Sequence, residues 1–272
     1  MTDPPLLSAL QLVGLWIYPI KSCAGIQVIS ARVTPDAGLD GDREWIIINS
    51  ENQQVWMGEI HQMALIQPGF DGDDLVLRSP GCSDLRVSRQ ISQNPCEVNI
   101  WNDIEKVNET FSGFDAGEHA SRWLTSTLGR PLRLVRLGKE GQTRKALMPL
   151  HVVSLASLRA LNQRLSEEGH PPVELERFRP NLVIDHEELA PFVEEQVSRL
   201  RWENGLELEM IGACIRCIMP NVSPKDATAG REPLAAVTRL SRERAQKNPI
   251  FGVYGKAQAE GVLTVGQFGT AF

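Results

Sequence analysis

What most constrains the fold of this chain is a rhythm of short β-branched and aromatic runs, each ended within a few residues by Gly, Asp or Pro. Residues 12–18, 27–33, 44–49 and 75–78 follow one another in this way before residue 107. Runs of this length and composition suit half-buried strands, and the turn residues between them suit short connections. The first part of the chain is therefore expected to form a small, mostly β domain. The period then lengthens. Across residues 115–128, Ala120, Trp123, Leu124 and Leu128 recur at helical spacing ahead of Gly129-Arg130-Pro131, and residues 154–165 repeat the pattern with Leu155, Leu158, Leu161 and Leu165. Strands return at 181–185, 200–203, 206–211 and 261–266. The expected class is α+β and mostly β, with a small, mostly β first half packed tightly on a second half that is β-rich and carries a few helices.

No flexible linker or repeat separates the halves, and the boundary is expected near residues 110–120. A chain of 272 residues with 42% hydrophobic content can bury a full core. No apolar run approaches the ~20 residues needed to cross a bilayer. Met1-Thr2-Asp3-Pro4-Pro5 is neither cationic nor followed by a signal-peptide hydrophobic region. The expectation is a cytoplasmic protein without a membrane partner. A net charge of −6 disfavours nucleic acid as a partner and leaves small anions as the better ligands.

Two of the five cysteines, Cys214 and Cys217, stand three residues apart with Arg216 between them. A neighbouring guanidinium favours the thiolate, the form that attacks electrophiles and binds soft metals. Structural zinc would need two more ligands. Cys23, Cys82 and Cys96 are scattered, and His61, His119, His151, His170 and His186 form no paired motif. A redox dithiol would sit at a strand-to-helix turn, whereas Pro220 follows closely here. Two cysteines packed as small apolar side chains remain the plain alternative.

Five segments in order carry more information than the cysteine spacing. They are Tyr18-Pro19-Ile20-Lys21-Ser22-Cys23-Ala24-Gly25, Asp40-Gly41-Asp42-Arg43-Glu44-Trp45, Arg177-Phe178-Arg179-Pro180-Asn181-Leu182-Val183, Cys214-Ile215-Arg216-Cys217 and Phe251-Gly252-Val253-Tyr254. Together they resemble the MOSC family, the molybdenum cofactor sulfurase C-terminal-like proteins. The group most similar in pattern holds bacterial YcbX-type proteins and the mitochondrial amidoxime-reducing component. The resemblance implies a MOSC N-terminal β-barrel domain over 8–115 packed on a MOSC β-barrel domain over 116–270. It implies a pyranopterin molybdenum cofactor and the reduction of N-hydroxylated, or related N- or S-oxygenated, small molecules. Electrons would come from a separate flavin or iron-sulfur protein, because the chain has no C-x4-C-x2-C run of its own.

Carried over residue by residue, the resemblance makes Cys217 the molybdenum ligand and catalytic residue. Lys21, Ser22, Arg43, Arg179, Asn181, Arg216 and Tyr254 become cofactor-binding residues. The chemistry suits the group, since a pterin phosphate needs fixed cations, hydroxyls and amides, and thiolate sulfur suits a metal already held by sulfur. Asn181 is expected to donate and accept at the pterin edge, and Cys214 to pack beneath Cys217 or to serve as its resolving thiol. The chain departs from the family in two places. Ile218-Met219-Pro220-Asn221-Val222-Ser223-Pro224 stands where two threonines and Val-Asp-Pro are usual, and Met57-Gly58 stands where the family has Gln-Arg. A changed site floor and one cation fewer are expected. Two other readings accompany the resemblance: a sulfur carrier with a persulfide on Cys217 for metal-sulfur cofactor assembly, and a non-catalytic ligand-binding relative. Pyridoxal phosphate binding is a further association of the family.

Overall fold

β1 (Leu7–Ile17) is both the first strand among the described residues and the strand that closes the larger barrel. The computed structural model describes residues 7–144 and 148–272, so residues 1–6, which include the Met1-Thr2-Asp3-Pro4-Pro5 segment expected above not to be a signal peptide, lie outside it. After β1 come β2 (Ile26–Gln27), β3 (Ser30–Thr34), β4 (Gly38–Leu39), β5 (Trp45–Ile48), β6 (Gln67–Asp71), β7 (Asp74–Arg78), β8 (Leu85–Ser88), β9 (Pro95–Asn102) and β10 (Val107–Asp115). Helix α1 (Glu118–Leu128), β11 (Arg133–Leu137) and the short α2 (Lys139–Gln142) lead to the second lobe. That lobe contains β12 (Leu150–Ser154), α3 (Leu155–Glu167), β13 (Leu182–Asp185), β14 (Arg199–Trp202), β15 (Glu207–Ile215), α4 (Leu234–Glu243), β16 (Ile250–Ala257), β17 (Gly261–Thr264) and β18 (Phe268–Ala271).

The barrel runs β13-β12-β16-β15-β14-β18-β1 and closes where β1 pairs back onto β13. Closure leaves none of these seven strands with a bare edge. Leu10, Leu12, Leu15, Val152, Leu182 and Trp202 fill the interior and are almost completely buried. β12 and β13 are parallel, so a crossover must join them, and α3 provides it. Its start is fixed by Ser154, whose hydroxyl accepts from the Ser157 amide at 3.0 Å.

The first lobe packs the sheets β5-β11-β10-β9 and β6-β7-β8 on one core, while the sheet β17-β3-β4 sends Val33, Leu39 and Leu263 into the core of the barrel. α1 presents Ala120, Trp123, Leu124 and Leu128, the four residues expected from its period, to a core that includes Trp45 and Leu134. The mostly β architecture with few helices is as the sequence indicated. Strand pairing draws the lobe division differently from 8–115 and 116–270. β1 lies in the second barrel, α1 and β11 complete the first lobe, and β17 pairs with β3. The run 27–33 is also two strands, because the chain leaves β1 at Gln27 and joins β17 from Ser30, with Ile29 exposed at the corner. Among the described residues no helix is long and apolar enough to cross a membrane.

Candidate functional site

Tyr18, the first residue after β1, holds three of the sequence motifs together. Its amide donates to Asp42 Oδ1 at 2.6 Å, and its buried hydroxyl donates to the Pro180 carbonyl at 3.1 Å. The ring centroid lies 4.2 Å from the Arg179 guanidinium and 5.9 Å from that of Arg43, so the π-system of one ring supports two cations. Both arginines have a φ of 54°, in the left-handed region. That conformation costs a non-glycine residue roughly 1–2 kcal/mol and persists only where the surroundings impose it.

Lys21 follows in the same turn. Its amide donates to the Trp45 carbonyl at 3.1 Å and its Nζ to Gln54 Oε1 at 3.1 Å. Burial, then Arg144 and Arg43, bring its pKa down to about 8, against the opposing charges of Asp103 and Cys217. Arg144, between the lobes, is lowered to about 10 by burial and then by Arg43. Arg179 is also lowered to about 10, by burial first and by Arg43 against the opposing Tyr18, Cys23 and Asp42. Among the described residues the only carboxylate in ion-pair contact with any of these four cations is Asp42, on Arg43. Cations that repel one another with so little neutralisation have the chemistry to suit a multiply charged anion.

The cysteines lie beside this cluster in different states. Cys217 is exposed two residues beyond β15, and its charge acts on both Lys21 and Arg216. Cys214 is fully buried. Arg216 places Nη1 2.8 Å from Cys214 Sγ and Nη2 3.1 Å from the Phe178 carbonyl, while its Nε is buried without a partner. Burial pushes the Cys214 thiol up, but Arg216 and then His151 and Tyr254 outweigh it and hold the thiol well below its ordinary range. Burial and Cys214 push the Tyr254 phenol up. The guanidinium expected at the outer sulfur therefore pairs with the inner one, and Cys214 is more than a packing residue.

Two expected ligand contacts are corrected. Asn181 is fully buried and its amide is used up: Oδ1 accepts from the His151 amide at 3.1 Å and from Arg43 at 3.3 Å, while Nδ2 donates to the Trp16 carbonyl at 3.1 Å and to Asp42 at 3.2 Å. Two donors and two acceptors are all a carboxamide has, so nothing remains for a pterin edge. Ser22 is also fully buried, with φ at 72° and its hydroxyl enclosed without a partner, so it offers no donor at the surface of the cation cluster. The departures from the family pattern serve local structure. Asn221 Oδ1 accepts from the Leu234 amide at 2.9 Å at the start of α4, and Arg177 reaches the Pro220 carbonyl at 3.3 Å. Met57 is core, and a Cβ on Gly58 would fall 2.2 Å from the Trp56 ring. Lys21, Arg43, Arg179, Arg216, Tyr254 and Cys217 do converge. Gln54, Arg144 and His151 were missed; His151, a lone imidazole on the otherwise apolar β12, was the signal available.

Residues 9–131 match the MOSC N-terminal beta barrel domain and residues 143–268 match the MOSC domain. Mitochondrial amidoxime reducing component 2 of Bos taurus is 31% identical, over 94% of this chain and 83% of that protein. Mitochondrial amidoxime-reducing component 1 of Homo sapiens is 30% identical over 94% and 82%. Molybdenum cofactor sulfurase of Drosophila erecta is 28% identical over 90% of this chain but only 31% of its own length. The chain belongs to the MOSC family, with both the N-terminal barrel domain and the MOSC domain.

Proposed function

We propose that this MOSC-family chain binds a pyranopterin molybdenum cofactor in the cationic cleft and reduces N-hydroxylated small molecules, with Cys217 as its ligand to the metal. The observation that carries the reading is the set Lys21, Arg43, Arg144 and Arg179, nearly without carboxylates, in which burial and mutual repulsion depress the proton affinity of Lys21, Arg144 and Arg179. These residues fit a phosphate-bearing group, and the exposed Cys217 sulfur fits a soft metal. When bound, the cofactor supplies the two-electron removal of oxygen from the substrate. Lys21 stays protonated at neutral pH, and an anion beside it raises its proton affinity further. Tyr18 holds Arg43 and Arg179 against one ring and so fixes the spacing of the charges. The amidoxime-reducing relatives support the reaction class, and a separate flavin or iron-sulfur protein in the cytoplasm supplies the electrons.

The similarity to a cofactor sulfurase supports a second reading, in which Cys217 carries a persulfide. Its exposure and its closeness to Lys21 suit that anion too. The test uses protein from a host that makes the cofactor, with a viologen reductant and an aromatic amidoxime. Parent protein should form the amidine, and Cys217→Ser should lose roughly 100-fold or more in rate. Equal rates in both would overturn the assignment. Sulfane sulfur on Cys217 without any reduction would establish the sulfur-carrier reading instead.

A further inference from the structure

We propose that Cys214 is an anionic anchor: buried beneath the cleft, it fixes Arg216 and, through it, the strained turn that presents Arg179. The inference rests on the cleft being the anion site described above.

The chain of contacts is continuous. Cys214 has no exposed surface, and the guanidinium of Arg216 lies 2.8 Å from its sulfur. A neutral thiol is a weak acceptor, and so short an approach by a cation is that of a charge-assisted bond. The other arm of Arg216 holds the Phe178 carbonyl at 3.1 Å. On the far side His151 places Nδ1 3.4 Å from the Arg179 carbonyl and Nε2 3.0 Å from the Phe251 carbonyl. The peptide groups on both sides of Arg179 are therefore gripped by side chains that also act on Cys214. Arg179 needs that grip. It combines a φ of 54° with a ψ of 50° directly before Pro180, where a residue ordinarily stays extended.

The groups that act on Cys214 are Arg216 from the end of its own strand, His151 from β12 and Tyr254 from β16. A serine in its place would fill the space without the charge. Arg216 would then be a buried cation facing a neutral oxygen, free to turn away from Phe178. Cys214 is on this account a positioning residue, since it reaches a ligand only through Arg216 and Arg179.

Two measurements on cofactor-free protein test it. The first follows thiolate ultraviolet absorbance against pH in a Cys217→Ser background. Cys23 does not interfere, since burial pushes its thiol up to about 12. A step below neutral pH is expected; it should vanish in Cys217→Ser/Cys214→Ser and move up by about two pH units with Arg216→Gln. Absence of an acid-side step in folded Cys217→Ser protein overturns the proposal. The second is calorimetric binding of inorganic pyrophosphate. Cys214→Ser should weaken it roughly tenfold, and Cys214→Asp, which restores an anion, should recover most of the loss. Equal affinity of the parent and folded Cys214→Ser protein overturns the anchor. If the parent itself does not bind pyrophosphate, the cleft reading fails, and the thiolate step alone then decides whether Cys214 is an anion.

Discussion

Lys21 is protonated at neutral pH at a cost to stability. Its folded pKa of about 8 lies below the ordinary lysine value of 10.5. The unfolded chain therefore binds more protons than the folded one between those values, and stability rises with pH across the window. Below about pH 8 the penalty is present in full. Lys21→Met should raise the melting temperature of cofactor-free protein at pH 7 by about 2–6 °C and flatten the rise between pH 8 and 10.5. Thermal unfolding across that pH range checks both, and a variant less stable than the parent would contradict the account. Asn181 should behave oppositely. Asn181→Leu leaves the His151 amide and the Trp16 carbonyl without a side-chain partner, so urea unfolding should show a loss of about 2–4 kcal/mol. The contrast marks what a sequence can tell at this scale. Lysine and arginine in ordered motifs announce an anion site, but an asparagine can face a ligand or bridge strands. For Asn181 that choice was made by Trp16, Asp42 and His151, all distant in sequence.

Helices α1 and α3 were legible because an apolar stripe at helical spacing has few other uses, and both have distinct end signals. The hairpin of β9 and β10 was not. Its inward positions Val98 and Ile100 are apolar, but the next inward position is the buried Asn102 and the rest of the segment is rich in Asn and Glu, and short alternation diluted in this way is weak. The split of 27–33 into β2 and β3 was equally hidden, since a change of pairing partner leaves no mark in a β-branched run. Where β12 meets β16 the register sets a firm demand. Val152 pairs with Val253, and Gly252 has a φ of 80°. A Cβ there would lie 2.5 Å from both the Val152 carbonyl oxygen and His151 Nε2. Gly252→Ala should therefore cost about 3 kcal/mol or more, read from denaturant midpoints, and a change under about 1 kcal/mol would refute this packing.

Two lobes that exchange strands cannot melt independently. β1 from the start of the chain closes the second barrel while its end pairs with β2, and β17 from late in the chain pairs with β3 from its first part. Near-ultraviolet signals from Trp45 in one lobe and Trp202 in the other should follow the far-ultraviolet transition through a single midpoint. Two separated midpoints would show that the crossings contribute little. The sequence announced two β-rich halves, but the exchange depends on pairings more than 200 residues apart, such as Leu10 with Gly269, which no local pattern encodes. The same crossings bring Lys21 and Arg43 of one half to Arg179 and Cys217 of the other, and the cleft depends on them. The most direct test is the molybdenum content per chain of protein made in a cofactor-producing host, for the parent and for Lys21→Ala/Arg179→Lys. About one molybdenum per parent chain and a several-fold loss in the folded variant are predicted. A parent that stays empty even after exposure to intact cofactor, or a variant that fills completely, would contradict the account.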